Sequence, residues 1–145
     1  MSLSQWRENG WLTAHETNRV QVHHLLALVD RDLEVAVATA NADWRFGIAY
    51  NAALKLCTVL LYGSGYRAAR ELNHYRSLMS LPLTLGAERA ADAAYLDRCR
   101  SKRNELEYDH VGVVTDADAD ELIDFARTLK TDVLTWLGSK RPDLK

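Results

Sequence analysis

Residues 43–62 read DWRFGIAYNAALKLCTVLLY. The run contains no proline and is apolar nearly all round a helical wheel. Its length and lack of strand-like alternation predict a helix, and a helix with no polar face must be enclosed by others. The stretch therefore marks the centre of a helical bundle. Asp43 suits the helix start and Gly63 its end. The polar residues Asn51, Lys55 and Thr58 fall on one narrow line at i, i+4 and i+7. That line reads as a solvent-facing edge, with the border of a pocket as the alternative.

Working outward, three more long helices are predicted. The first runs from about Thr17 to Ala40, with the stripe Val22, Leu26, Val29, Leu33, Ala36 and Ala40 at steps of three and four. Another runs from about Ala87 to His110, with Gly112 placed to end it. The last starts at Thr115 or Asp116 and ends near Leu137, before Gly138; its stripe is Leu122, Ala126, Leu129, Val133 and Trp136. Its opening DADADE puts carboxylates at the positive end of the helix dipole. Short helices are expected over Ser4–Asn9, closed by Gly10, and over His74–Leu81, ended by Pro82. Thr13 and Glu16 have capping-box spacing. Gly63 and Gly65 read as a helix stop and a turn. They make no phosphate loop, since no strand precedes them and no Lys-Ser/Thr follows.

The expected fold is all-α: an up-and-down four-helix bundle with additional short helices. Residues 1–16 form an N-terminal short helix or arm, 17–138 the bundle and 139–145 a C-terminal tail. A chain of 145 residues is the size of one domain, and 48% apolar residues suffice for one core. The formal net charge of −2 excludes a strongly basic nucleic-acid coat but not a local basic patch. Cys57 and Cys99 have no CxxC spacing and read as small buried hydrophobes in a reducing compartment. The start, MSLSQWRENGW, has no apolar run of the signal-peptide kind. Apolar stretches read as too short or too interrupted to span a bilayer, so the expectation is no membrane and a cytoplasmic location.

The chemistry-bearing segment is CRSKRNELEYDH, residues 99–110. At about 100° per residue, Leu96, Cys99, Arg103, Leu106 and His110 share one arc. A guanidinium and an imidazole thus occupy a packing stripe, a local rule violation of the kind found at functional sites and interfaces. Arg103 and His110 lie two turns apart, about 10 Å along the axis. Arginine grips phosphate oxygens bidentately and keeps its charge, while histidine exchanges protons near neutrality. Together they suit metal-free RNA cleavage, with the 2′-hydroxyl attacking phosphorus and Arg103 stabilising the added charge. Arg98, Arg100, Lys102 and Arg103 make the local field basic, and Asn104 adds a polar group beside the arginine. The structural alternatives are a dipole-favoured His110 at its helix end and a solvated Arg103–Glu107 pair.

The Arg103-Asn104…His110 pattern, with RNELEYD around it, resembles the HEPN superfamily, whose motif is an Arg, a polar residue and a His a few residues on. AYNAALKLCTVLLYGSGYR and HYRSLMSLPLTL look like the same type of domain, so the resemblance covers roughly Thr17 to Leu137. It implies a HEPN-like bundle that forms a homodimer, with both Arg–His helices in one composite cleft. It implies a metal-independent ribonuclease in a toxin–antitoxin, defence or RNA-processing setting, or a noncatalytic module that binds a nucleotide, RNA or a small nucleotidyltransferase partner. The implied catalytic residues are Arg103, His110 and Asn104; Arg100, Lys102 and Tyr108 are the substrate-binding candidates. In one toxin branch the partner modifies a Tyr two residues after the His, and here that position is Gly112. A structural adaptor, with Arg103 serving dimer packing, is the remaining class.

Other candidates carry less. His23 and His24 are adjacent and point about 100° apart, which is wrong for one metal. His15 and His74 lack partners at ligand spacing, so neither a metal nor a cofactor is expected. His74 and Tyr75 read as a helix start or as lining of the cleft. Trp6, Trp11, Trp44 and Trp136 read as core or helix-end packing, not as base-stacking platforms. No serine has an elbow or triad context.

Overall fold

The computed structural model describes residues 1–108 and 113–145, with the side chains of 107 and 108 excepted. Among the described residues the order is α1 (Leu3–Glu8), β1 (Leu12–Ala14), α2 (Arg19–Ala38), α3 (Ala42–Gly63), β2 (Tyr66–Ala68), α4 (Asn73–Met79), α5 (Leu81–Thr84), a 3₁₀ turn (Ala87–Arg89), α6 (Ala90–Tyr108) and α7 (Asp116–Lys140). The fold is mainly helical, as expected, and α2, α3, α6 and α7 are its long elements.

Local chemistry fixes the helix starts. Asn18 opens α2 by accepting from the Gln21 amide at 2.8 Å, and Asn41 opens α3 by accepting from the Trp44 amide at 3.1 Å. Each removes one donor that the first helical turn leaves unsatisfied. Thr115 and Asp118 close a reciprocal capping box on α7, with bonds of 3.0 and 3.1 Å. The capping-box spacing of Thr13 and Glu16 starts no helix: Thr13 lies in β1, and the helix begins after Asn18. Pro82 does not end one short helix but sits in the first turn of α5, where its missing N–H breaks no bond. Gly138 lies inside α7, which continues to Lys140.

Helix α3 is the axis of the core. It packs most extensively on α2 and α7, and also on α6 and α4. Phe46, Ala49, Tyr50, Ala53, Leu56, Val59 and Leu60 are all buried. By length and composition α3 is apolar enough to cross a membrane, contrary to the sequence reading. Most of it is buried inside the fold, as in the core helix of a soluble protein. The line of Asn51, Lys55 and Thr58 is not the open edge it was read as. Each is half-buried, and the Lys55 ammonium donates to the buried Asp32 carboxylate of α2 at 2.5 Å.

The strands were missed by sequence reading because each has three residues and they lie far apart in the chain. They pair antiparallel, with Leu12 opposite Ala68 and Ala14 opposite Tyr66. This tie holds a small second core of Trp6, Leu12, Leu61 and Ala68. Arg76 of α4 stacks over Trp11 there, 3.8 Å from the ring centroid. At the other end, Leu144 is buried in the main core, and Arg141 donates to the Gly63 carbonyl at 2.9 Å.

Gly63 serves close packing and Gly65 the turn. Gly65 has φ of +91°, whereas a Cβ on Gly63 would meet the Trp136 ring at 2.6 Å. Gly63→Ala is expected to lower stability by about 1–3 kcal/mol, the usual cost of overpacking, read as a lower urea midpoint. Asp32→Ala strands the Lys55 ammonium in a half-buried site. The expected loss is roughly 2–3 kcal/mol, reduced from the fully buried case because Lys55 keeps some solvent. A double-mutant cycle with Lys55→Met checks it: the second substitution should recover much of the loss.

Candidate functional site

Helix α6 carries the predicted site residues. Leu96 and Cys99 are buried, and Leu106 packs half-buried against the same core. Arg103 shares this stripe and is half-buried. Its guanidinium lies 5.3 Å from the Tyr50 ring centroid, a cation–π contact across to α3. His110, the predicted acid–base residue, lies outside the described residues, as do Gly112 and the side chains of Glu107 and Tyr108. Asn104 is half-buried on α6.

The basic run does not form a single face. Arg100 donates from Nε to Asp97 at 2.9 Å and lies 5.5 Å from the Tyr75 ring. Lys102 turns the other way, to Asp118 of α7 at 3.4 Å. A backbone hydrogen bond from Thr115, reinforced by Lys102, holds the Asp118 carboxyl below its ordinary value. Arg98 and Lys102 border one pocket with Tyr95 and Glu121, whereas Arg100 and Arg103 both act on Tyr50. Helical phase explains the division: residues 98 and 102 are one turn apart, as are 100 and 103, and the two pairs diverge.

Tyr50 links α6 to α4. The residue is fully buried, and desolvation pushes its phenol up to about 12, against the pull of Arg103 and Arg100. The phenol therefore stays protonated and can donate to His74 Nδ1, a long contact of 3.5 Å. His74 lies in the first turn of α4, as the sequence reading had it. The structure also brings it within 6.2 Å, ring to ring, of the tyrosine under Arg103. The signal in the sequence was Tyr50 itself, a phenol on an otherwise apolar stretch of helix.

Beside Arg103 an open groove of about 450 Å³ runs between α3 and α6. Trp44, Gly47, Ile48 and Asn51 line it from α3, and Arg103 and Leu106 from α6. Asp43, next to Trp44 in the chain, also lines it. Trp44 corrects the sequence reading of core or helix-end packing: it is 70% exposed. It lies two residues before the buried Phe46, about 200° round the wheel and so on the far side of α3. Among the described residues, no three His, Cys, Asp or Glu side chains gather as a metal site. Comparison of the chain with family models, curated proteins and solved structures finds no match.

Both cysteines are free thiols buried in the core. Burial pushes the Cys57 thiol up to about 12 and the Cys99 thiol up to about 11, so both stay protonated at neutral pH. Folded protein at pH 8 is expected to leave both unreacted with Ellman's reagent, and urea-unfolded protein to release two thiols per chain. Fast labelling of native protein would contradict the packing described for α3 and α6.

Proposed function

We propose that this chain is a HEPN-type, metal-independent ribonuclease that acts as a homodimer in a toxin–antitoxin, defence or RNA-processing setting. The observation that carries the reading is the position of Arg103. A charged guanidinium sits on the packing stripe of α6, braced over Tyr50 and bordering an open groove. A solvated surface arginine needs neither the brace nor the groove. The resemblance of Arg103-Asn104…His110 to the HEPN motif supplies the chemistry.

In this reading Arg103 holds the scissile phosphate and stabilises charge as O2′ attacks phosphorus. The O2′–P bond forms as the P–O5′ bond breaks. His110 moves a proton between the attacking hydroxyl and the leaving oxygen, and Asn104 orients the phosphate or the guanidinium. The product ends are a 2′,3′-cyclic phosphate and a free 5′-hydroxyl. RNA is the substrate, and a second copy of the chain completes the cleft.

One observation favours a second reading, a noncatalytic module that binds a nucleotide or a small nucleotidyltransferase partner. Arg100 and Lys102 are each engaged by a carboxylate, which lowers the positive field available to a polyanion.

Incubation of mixed RNA with the protein and a chelator separates the two. The ribonuclease reading expects fragments with cyclic phosphate ends, and at least a hundredfold loss of rate in His110→Ala and in Arg103→Ala. Equal cutting by wild type and both variants would overturn it. Binding of a mononucleotide that depends on Arg103, with no cutting of RNA by any form, would establish the second reading instead.

A further inference from the structure

We propose that the groove between α3 and α6 is a nucleobase subsite, in which a base lies over Gly47 against Trp44 while its phosphate meets Arg103. The inference rests on the nucleic-acid reading of Arg103 and names the part of the ligand that this groove takes.

Gly47 is the first reason. It lies inside α3, where glycine is the poorest helix former after proline. Nothing in the fold requires it: its φ is not left-handed, and a Cβ there would meet no atom within 4 Å. Its missing side chain instead opens the floor of the groove. Trp44, Gly47, Ile48 and Asn51 follow one another at i, i+3, i+4 and i+7, so the bare backbone lies between an aromatic ring and a carboxamide on one helix face. A flat, rigid ligand fits such a floor better than a branched side chain does.

The second reason is the order of chemistry along the groove. Trp44 is 70% exposed at one end of the face, and Asn51 stands two turns away, about 10 Å by helical rise. Arg103 is braced over Tyr50, the neighbour of Asn51, so the cation belongs to the Asn51 end. An aromatic platform at one end and a fixed guanidinium at the other match the base and phosphate of one nucleotide. Asp43, beside Trp44, offers only acceptors, which suits the amino and imino donors of a base edge and repels a phosphate from that end. The groove's volume, about 450 Å³, is within the range of small-ligand sites.

The alternative occupant is a second copy of the chain. A protein partner gains nothing from the acceptor–platform–cation order, and an apolar interface would be served better by a side chain at position 47 than by open backbone.

The test uses the full chain carrying His110→Ala, so that binding is read without turnover. Probes are the four nucleoside 3′-monophosphates, ribose phosphate without a base, and a short oligoribonucleotide, followed by tryptophan fluorescence and calorimetry. The nucleotides should quench fluorescence and bind more tightly than ribose phosphate. Trp44→Leu should weaken them by roughly 5- to 150-fold, the span of one lost base stack. Gly47→Leu should weaken them by tenfold or more, and its melting temperature, with that of Gly47→Ala, should stay at or above that of the parent. Quenching by mononucleotides would assign the site to free nucleotides as well as RNA, and quenching by the oligonucleotide alone to an RNA strand. Equal binding of ribose phosphate and nucleotides would overturn the proposal. So would a Gly47→Leu protein that binds nucleotides normally but loses its oligomeric state, which would make the groove an interface between copies. The outcome is separable from that of the ribonuclease reading. Nucleotide binding with no RNA cleavage by wild type would sink only the catalysis, and cleavage with no effect of Trp44→Leu would sink only the subsite.

Discussion

Everything in this molecule is arranged around the need to cover α3. An apolar helix of 22 residues can leave little of its surface in water, so most of it is enclosed by other elements, and the Trp44–Asn51 face is the part left open. Helices α2 and α7 cover it most fully, while α6 and α4 close the side on which Tyr50 lies. Interior packing is intolerant of mismatch, and this appears at the Gly63–Trp136 approach, where even a methyl group has no room. The short strand pair and the buried Leu144 tie both ends of the chain to the same assembly.

The same constraint generates the candidate site. Residues of α3 and α6 line an open groove beside Arg103. The polar groups that α3 carries into the fold cannot be left bare. Tyr50 is buried beneath a guanidinium and beside an imidazole, and Lys55 is matched to Asp32. Among the described residues no buried side-chain polar atom lacks a partner. Arg103 thus joins packing to chemistry: it helps seal the α3–α6 contact through Tyr50 and presents its charge to the groove. The ribonuclease proposal and the base subsite both start from that double role.

The four long helices were legible from the sequence, since each carries a stripe or an apolar run long enough to define its period. Their starts followed where a cap residue stood directly before the run, as at Thr115. Arg103 was legible as a polar intrusion on the stripe of Leu96, Cys99 and Leu106. Less legible was what its neighbours do. Arg98, Arg100 and Lys102 are close in sequence, yet helical phase sends them to different faces and toward Asp97 and Asp118. Trp44 read as packing because aromatic side chains usually are buried, and only the orientation of α3 within its neighbours left this one in solvent.

What the sequence determined by itself, then, is periodicity: how many long helices there are, most of the apolar residues each turns inward, and that an arginine breaks one inward stripe. Tertiary structure alone decided which inward faces meet. The strand pair joins residues 12–14 to 66–68, and a pairing so distant leaves no local signature in three residues. The Tyr50–His74 contact and the open floor over Gly47 likewise exist only because particular helices cross at particular places. Local chemistry sets the period of each helix, but a groove is the space between two of them, and that is fixed only when the core packs.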